Sequence, residues 1–251
     1  MRQCAAFCSA VLTLGLIASQ AQAQEAAAHG SSFGRAGTVA VGAERMFGYV
    51  HTTLKTQSEQ PPSDQETTTT VNRFSLLGRP SYSTQFQSPY STPRIGIDFF
   101  PIDGLSVGGS ITYVSESGER ETEGPAGSQS QDLDPASGFL ISPRVGYGLM
   151  FSDVFGIWPR AGITYFTASS ENKNDAGQTT SESNVNGLAV TLEVPLILSP
   201  VDHVGFTIGP TLDIPVSGGS ETDPTDPAEA TREADVKFMD IGLNAGLMVW
   251  F

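Results

Sequence analysis

The stretch "LSVGGSITYV" (Leu105–Val114) alternates residue by residue. Leu105, Val107, Gly109, Ile111 and Tyr113 fall on one side; Ser106, Gly108, Ser110, Thr112 and Val114 fall on the other. Period two is the mark of a strand with two unlike faces, because successive side chains of a strand point in opposite directions. The same reading holds outward from this segment. "GLAVTLEVPLIL" (Gly187–Leu198) sets Leu188, Val190, Leu192, Val194 and Leu196 against Gly187, Ala189, Thr191 and Glu193. "HVGFTIGPTLDI" (His203–Ile214) sets Val204, Phe206, Ile208 and Leu212 against Gly205, Thr207, Gly209, Thr211 and Asp213.

The pattern predicts eight strands, over about 37–53, 93–100, 104–117, 138–150, 154–169, 185–198, 203–216 and 236–251. Tight turns "PIDG", "FSD" and "SPVDH" join strands two to three, four to five and six to seven. Long polar connections (54–92, 118–137, 170–184 and 217–235) lie between them. Short and long links alternate, so an up-and-down sheet collects every tight turn at one end and every long loop at the other. Membrane β-barrels show this asymmetry, with short periplasmic turns and long external loops. The segment Val71–Gly78 extends strand two or folds over the mouth; the sequence leaves both open.

Face occupancy separates a membrane barrel from a soluble one. A lipocalin-like barrel points its apolar residues inward. Here the polar face holds Gly, Ala, Ser and Thr with isolated charges, which suits a narrow filled lumen. The opposite face carries unbroken Leu, Val, Ile, Phe and Tyr, which suits lipid.

The chain ends "MDIGLNAGLMVWF", with Ile241, Leu243, Ala245, Leu247 and Val249 in phase with Phe251. A last strand of this kind, ending on an aromatic residue, resembles the assembly signal of bacterial outer-membrane proteins. The chain from about Gly37 to Phe251 thus resembles the small eight-stranded outer-membrane barrels of the OmpA/OmpX-like class. The resemblance implies residence in the cell outer membrane of a Gram-negative envelope. It also implies contact with outer-membrane lipid and lipopolysaccharide, and delivery by the barrel-assembly machinery through Phe251, Val249, Leu247 and Leu243. A peptidoglycan-binding domain after the barrel, as in full-length OmpA-type members, is not expected.

The pattern Pro-Arg-apolar-Gly-apolar occurs three times, at Pro93, Pro143 and Pro159. In phase with the greasy faces, Arg94, Arg144 and Arg160 point inward, each followed two residues later by an inward glycine (Gly96, Gly146, Gly162). Each arginine sits about seven residues from its tight turn, roughly 15–20 Å up a tilted strand. One buried ion-pair layer is expected, with Glu193, Glu44, Asp98, Asp213 and Asp240 as its acids. A plug of ion pairs is the primary reading; a gate that exchanges arginine partners and a binding or catalytic centre are the alternatives. A charge facing lipid at that depth costs about 2–4 kcal/mol. Arg45 nevertheless falls on the outward phase, so a bulge near Glu44–Arg45 is expected. Pro143, Pro159 and Pro210 each remove a ladder donor within a strand.

The remaining signals bound the function. Arg2, a short apolar run and "AQA" (Ala21–Ala23) read as an export signal over 1–23, followed by a flexible leader over 24–36. Cys4 and Cys8 leave with the signal, so disulfides and thiolate metal sites are not expected. The formal charge of −14 repels phosphate backbones, so nucleic acid is a poor partner. Of the histidines, His29 falls in the leader, His203 in a turn and His51 near the outer end of strand one, none beside a recognisable nucleophile. No cofactor or metal centre is expected. The acidic stretch Glu221, Asp223, Asp226, Glu229, Glu233 and Asp235, against Arg232, offers loose divalent-cation binding at an external loop. Trp158, Trp250, Tyr113, Tyr147, Tyr165 and Phe151 suit either interface girdles or core packing. The reading is a non-enzymatic outer-membrane β-barrel. A gated channel or hydrophobic-solute conduit, a lipid-acting barrel enzyme and a soluble lipocalin-like barrel remain as alternatives.

Overall fold

The computed structural model describes residues 33–58, 65–76, 88–124, 127–174, 178–226, 228 and 230–251. The export signal and residues 24–32 of the leader lie outside them. Among the described residues there are twelve strand segments: β1 (Val39–Ser58), β2 (Gln65–Leu76), β3 (Arg94–Phe99), β4 (Leu105–Gly124), β5 (Gly127–Tyr147), β6 (Leu149–Met150), β7 (Phe155–Ile157), β8 (Arg160–Lys173), β9 (Thr179–Glu193), β10 (Leu196–Val201), β11 (Val204–Pro224) and β12 (Arg232–Trp250). They assemble as eight antiparallel staves. The ring runs β1, β3, β4, β5, β8, β9, β11 and β12, and β12 pairs with β1 to close it. The short segments complete staves that are broken at Gly148, Pro159 and Pro195. β2 pairs with β1 over Phe47–Ser58, above the part that pairs with β3, so Val71–Leu76 extends the second stave. Residues 77–78 lie outside the described residues.

The strands are staggered. Stepping across the ladder from Thr52 leads to Asp240, Asp213, Thr191, Gly162, Arg144, Gly108, Asp98 and then Ala40. The path returns to β1 twelve positions before its start, which is the shear a tilted barrel requires. One perpendicular slice of the lumen therefore collects residues that are far apart in sequence.

Alternation sorts the faces. Ile95, Ile97, Val107, Ile111, Tyr113, Val145, Ile163, Tyr165, Ile241, Leu243, Leu247 and Val249 are exposed on the outside. Arg94, Asp98, Ser106, Ser110, Ser142, Arg144 and Thr164 are buried within. This is the inverse of a soluble ligand-binding barrel, which would face water with its polar side. Trp158 and Trp250 are buried in the lumen rather than set in a girdle, while Tyr113, Tyr165 and Phe151 are exposed.

The tight turns fall at residues 101–104, 151–154 and 202–203. The opposite connections are long, and in the last three of them most of the length is strand. β4 and β5 pair out to Gly124 and Gly127, β8 and β9 to Lys173 and Thr179, and β11 and β12 to Thr222 and Arg232. Polar, charged and small residues (Ser, Thr, Asn, Gln, Glu, Asp and Gly) carry these extensions, so they lack the apolar stripe that identifies a strand in sequence. The prolines fall where the ladder relaxes. Pro159, Pro195 and Pro210 still serve as acceptors, taking hydrogen bonds from the Tyr147, Trp158 and Val194 amides at 2.9, 2.8 and 3.1 Å.

Candidate functional site

The lumen is filled in three layers. At the tight-turn end, Phe33, Ala40, Phe100, Trp158, Ile197, Met248 and Trp250 form an apolar floor. Phe33 comes from the segment expected to be leader. Its ring meets Phe100, Trp158 and Trp250 edge-on at 5.1–5.4 Å. The neighbouring backbone is tied down as well, since Gly34 accepts from the Gly104 amide at 2.7 Å and the Ala36 amide donates to Asp103 at 2.7 Å.

Above the floor lies a charged layer. Arg144 donates to Glu44 at 2.6 and 2.7 Å and to Asp98 at 2.5 and 3.1 Å. Arg160 pairs with Glu44 at 2.6 Å and Glu193 at 2.7 Å, and stacks over Trp158 with 4.5 Å to the ring centre. The indole of Trp158 donates to Ser106 at 2.9 Å, fixing the ring beneath the guanidinium. Arg45 reaches Glu193 at 2.9 Å and Asp213 at 2.8 Å. From Asp213 a hydroxyl chain runs through Thr191 (2.6 Å) and Thr164 (2.6 Å) to Ser142 (2.7 Å). Ion pairs this deep are tolerated because each charge is both paired and hydrogen-bonded.

The repeated motif acquires a physical meaning here. A Cβ on Gly96 would meet Arg144 and Glu44 side-chain atoms at 2.7 Å, and one on Gly162 would meet the Pro143 carbonyl at 2.4 Å and Arg144 Cβ at 2.9 Å. A Cβ on Gly146 would meet Arg160 Cγ at 2.8 Å. Each glycine thus clears space for an arginine of another motif copy, across the barrel wall.

Arg45 departs from its expected outward phase. Between the pairs Ala43–Leu247 and Phe47–Ala245, three residues of β1 oppose Gly246 alone. Arg45 takes φ +54°, a left-handed conformation that turns two consecutive side chains, Glu44 and Arg45, into the lumen. Gly246 permits this, since a Cβ there would meet the Ala43 carbonyl at 2.4 Å. The signal was present in sequence as a charge on a lipid-facing phase.

The third layer lies toward the hairpin end. A 3-10 turn, Pro89–Ser91, is inserted in the lumen between β2 and β3, with Ser88, Tyr90 and Thr92 buried. The Tyr90 ring packs among Leu54, Leu140, Phe166, Ala189, Val236 and Phe238, edge-on to Phe166 at 5.2 Å. The Tyr90 carbonyl accepts from Arg94 at 2.6 Å and also from Arg45. Arg94 is therefore buried with the other arginines but bonds to a carbonyl and to none of the carboxylates described. Asp240 is also buried, with neither oxygen hydrogen-bonded among the described residues. No sequence feature marked the inserted turn, which depends on tertiary contacts.

At the hairpin end, a cleft of about 530 Å³ is bordered by Asn184, Asn186, Glu221, Arg232 and Asp235. Among the described residues, no three His, Cys, Asp or Glu side chains are arranged to hold a metal. Phe251, Val249, Leu247 and Leu243 all point outward on β12 and at its end.

No protein-family model matches the chain, and no curated protein sequence is similar to it. Among solved structures it is similar to the outer membrane protein OprG from Pseudomonas aeruginosa, with TM-score 0.50 and 12% identity over 86% of this chain and 97% of that one. It also aligns with the outer membrane protease OmpT from Escherichia coli (TM-score 0.44, 8% identity, 90% and 99% covered). A third alignment is with Neisserial surface protein A (TM-score 0.40, 11% identity, 85% and 97% covered). The closed antiparallel ring and the likeness to OprG agree at the level of fold: the chain is a small eight-stranded β-barrel of the outer-membrane type.

Proposed function

We propose that this chain is a non-enzymatic barrel of the outer membrane whose lumen is sealed, serving the envelope structurally and presenting its outer hairpins at the surface. The observation that carries this is the stack of three closures: an apolar floor, a paired charged layer and the inserted turn carrying Tyr90. Glu44, Asp98, Glu193 and Asp213 are committed to arginines, which leaves them poorly suited to general acid–base work. The Nδ1 of His51 is hydrogen-bonded to Asn72 and that of His203 to the Trp250 carbonyl, and neither of these partners is a nucleophile. The outward apolar belt meets lipid, the outer ends meet lipopolysaccharide, and the phase of β12 ending at Phe251 suits recognition by the barrel-assembly machinery.

Planar-bilayer recording tests the sealed lumen. Purified protein is expected to add no steady conductance above that of the bare bilayer. Reproducible unitary openings would replace this reading with that of a gated channel.

A further inference from the structure

Asp240 is the charge in the lumen that the ion-pair layer does not use. The residue is about 1% exposed, it has no ion pair among the described residues, and neither carboxylate oxygen completes a hydrogen bond of normal geometry, although the Thr52 and Ser88 hydroxyls are close enough to act on it. It lies directly opposite Thr52 of β1 on one side and Asp213 of β11 on the other, with Ser88 of the inserted turn beside it. Both flanking hydroxyl residues, Thr52 and Ser88, are themselves buried. Like charges directly opposite on neighbouring strands are destabilising. Asp213 is already held by Arg45 and Thr191, so it cannot relieve Asp240.

The charge balance points the same way. Among the described buried residues, five carboxylates (Glu44, Asp98, Glu193, Asp213, Asp240) face four guanidiniums (Arg45, Arg94, Arg144, Arg160). The excess is a single negative charge, and it falls at Asp240. An isolated buried carboxylate is strongly unfavourable. Arg94, the guanidinium without a carboxylate partner, is turned to the Tyr90 carbonyl instead.

We propose that Asp240, Thr52 and Ser88 form a binding site for one monovalent, sodium-like cation. The donors are hard oxygens, which suit alkali and alkaline-earth ions rather than soft metals. Calcium takes about six to eight oxygens, usually from several carboxylates, and magnesium keeps an octahedral shell. One free carboxylate with two hydroxyls matches neither demand, while a single positive charge cancels the excess. Because Ser88 belongs to the inserted turn and Asp240 to the wall, the cation fastens the turn that closes the lumen.

The test is heat-driven unfolding of the detergent-folded barrel, read as the mobility shift on gels, in sodium chloride against choline chloride at equal ionic strength. The wild-type midpoint is expected to rise with each tenfold increase in sodium once the site begins to fill, and to stay flat in choline. Asp240→Asn removes the excess charge. It should fold in choline at least as stably as wild type and lose the sodium response. Ser88→Ala should move the response to higher sodium without abolishing it. Equal wild-type midpoints in the two salts would overturn the proposal, since Asp240 would then be neutralised by a proton. A sodium response that survives in Asp240→Asn would overturn it as well, because the ion would be acting elsewhere.

Discussion

At the scale of single residues, the lumen depends on which carboxylate each arginine holds. Arg144 touches Glu44 and Asp98 closely, while its approach to Glu193 is 3.8 Å. Arg144→Ala leaves Asp98 without its cation, and breaking a buried pair in this way costs about 3–5 kcal/mol. Denaturant unfolding should show that loss. A double-mutant cycle of Arg144→Ala with Asp98→Ala should give a coupling of about 1–3 kcal/mol, as expected for residues in one buried network. A coupling near zero would mean that the pair is not formed. Gly162→Ala tests the spacing of the motif. Its methyl group would press on the Pro143 carbonyl and Arg144, so a loss of about 1–3 kcal/mol is expected in the same measurement. An unchanged midpoint would show that the arginines do not need that gap.

At the scale of elements, the sequence was most legible where an apolar row meets lipid. The transmembrane parts of the staves, the inward phase of Arg94, Arg144 and Arg160, and the asymmetry of the connections all follow from period two. The outer extensions of β4, β5, β8, β9, β11 and β12 were not legible, because these polar and charged extensions show no greasy face. The bulge at Arg45 was legible as a misfit of phase, but the arginine's ion pairs with Glu193 and Asp213 needed three-dimensional closure to appear. The inserted turn was not legible at all, since Pro89–Ser91 has no periodicity and its apolar contacts come from β1, β5, β8, β9 and β12. Its role can be measured: Tyr90→Ala empties the apolar cage and should lower stability by about 3–5 kcal/mol, within the range for large aromatic truncations. A loss below about 1 kcal/mol, the scale of an ordinary surface change, would indicate that the turn does not fill the lumen. The terminal strand makes a separate prediction. Removing Phe251 should reduce assembly into outer membranes far more than removing residues 225–230 from the connection between β11 and β12, as judged by the heat-modifiable fraction. Equal losses would count against β12 and Phe251 acting as an assembly signal.

At the scale of the whole molecule, the barrel inverts the usual arrangement of a soluble protein. Apolar side chains cover the outside, and the inside is a stack of aromatic, ionic and again aromatic layers. Among the described residues these layers fill the lumen, and the proposed function requires that it be sealed to small solutes. Ser110 lies inside at the level of the charged layer, paired in register with Gly96 and Ser142, and is about 2% exposed. Cysteine is close to serine in size, so Ser110→Cys, in a chain with Cys4 and Cys8 replaced, reports on access with little disturbance of packing. Thr231→Cys, exposed at the hairpin end, serves as the reactive control. With a small charged methanethiosulfonate reagent added to the folded barrel in lipid vesicles, Thr231→Cys should react at once. Ser110→Cys should stay unmodified until the barrel is denatured; modification of Ser110→Cys at a rate comparable to the control would contradict the sealed lumen.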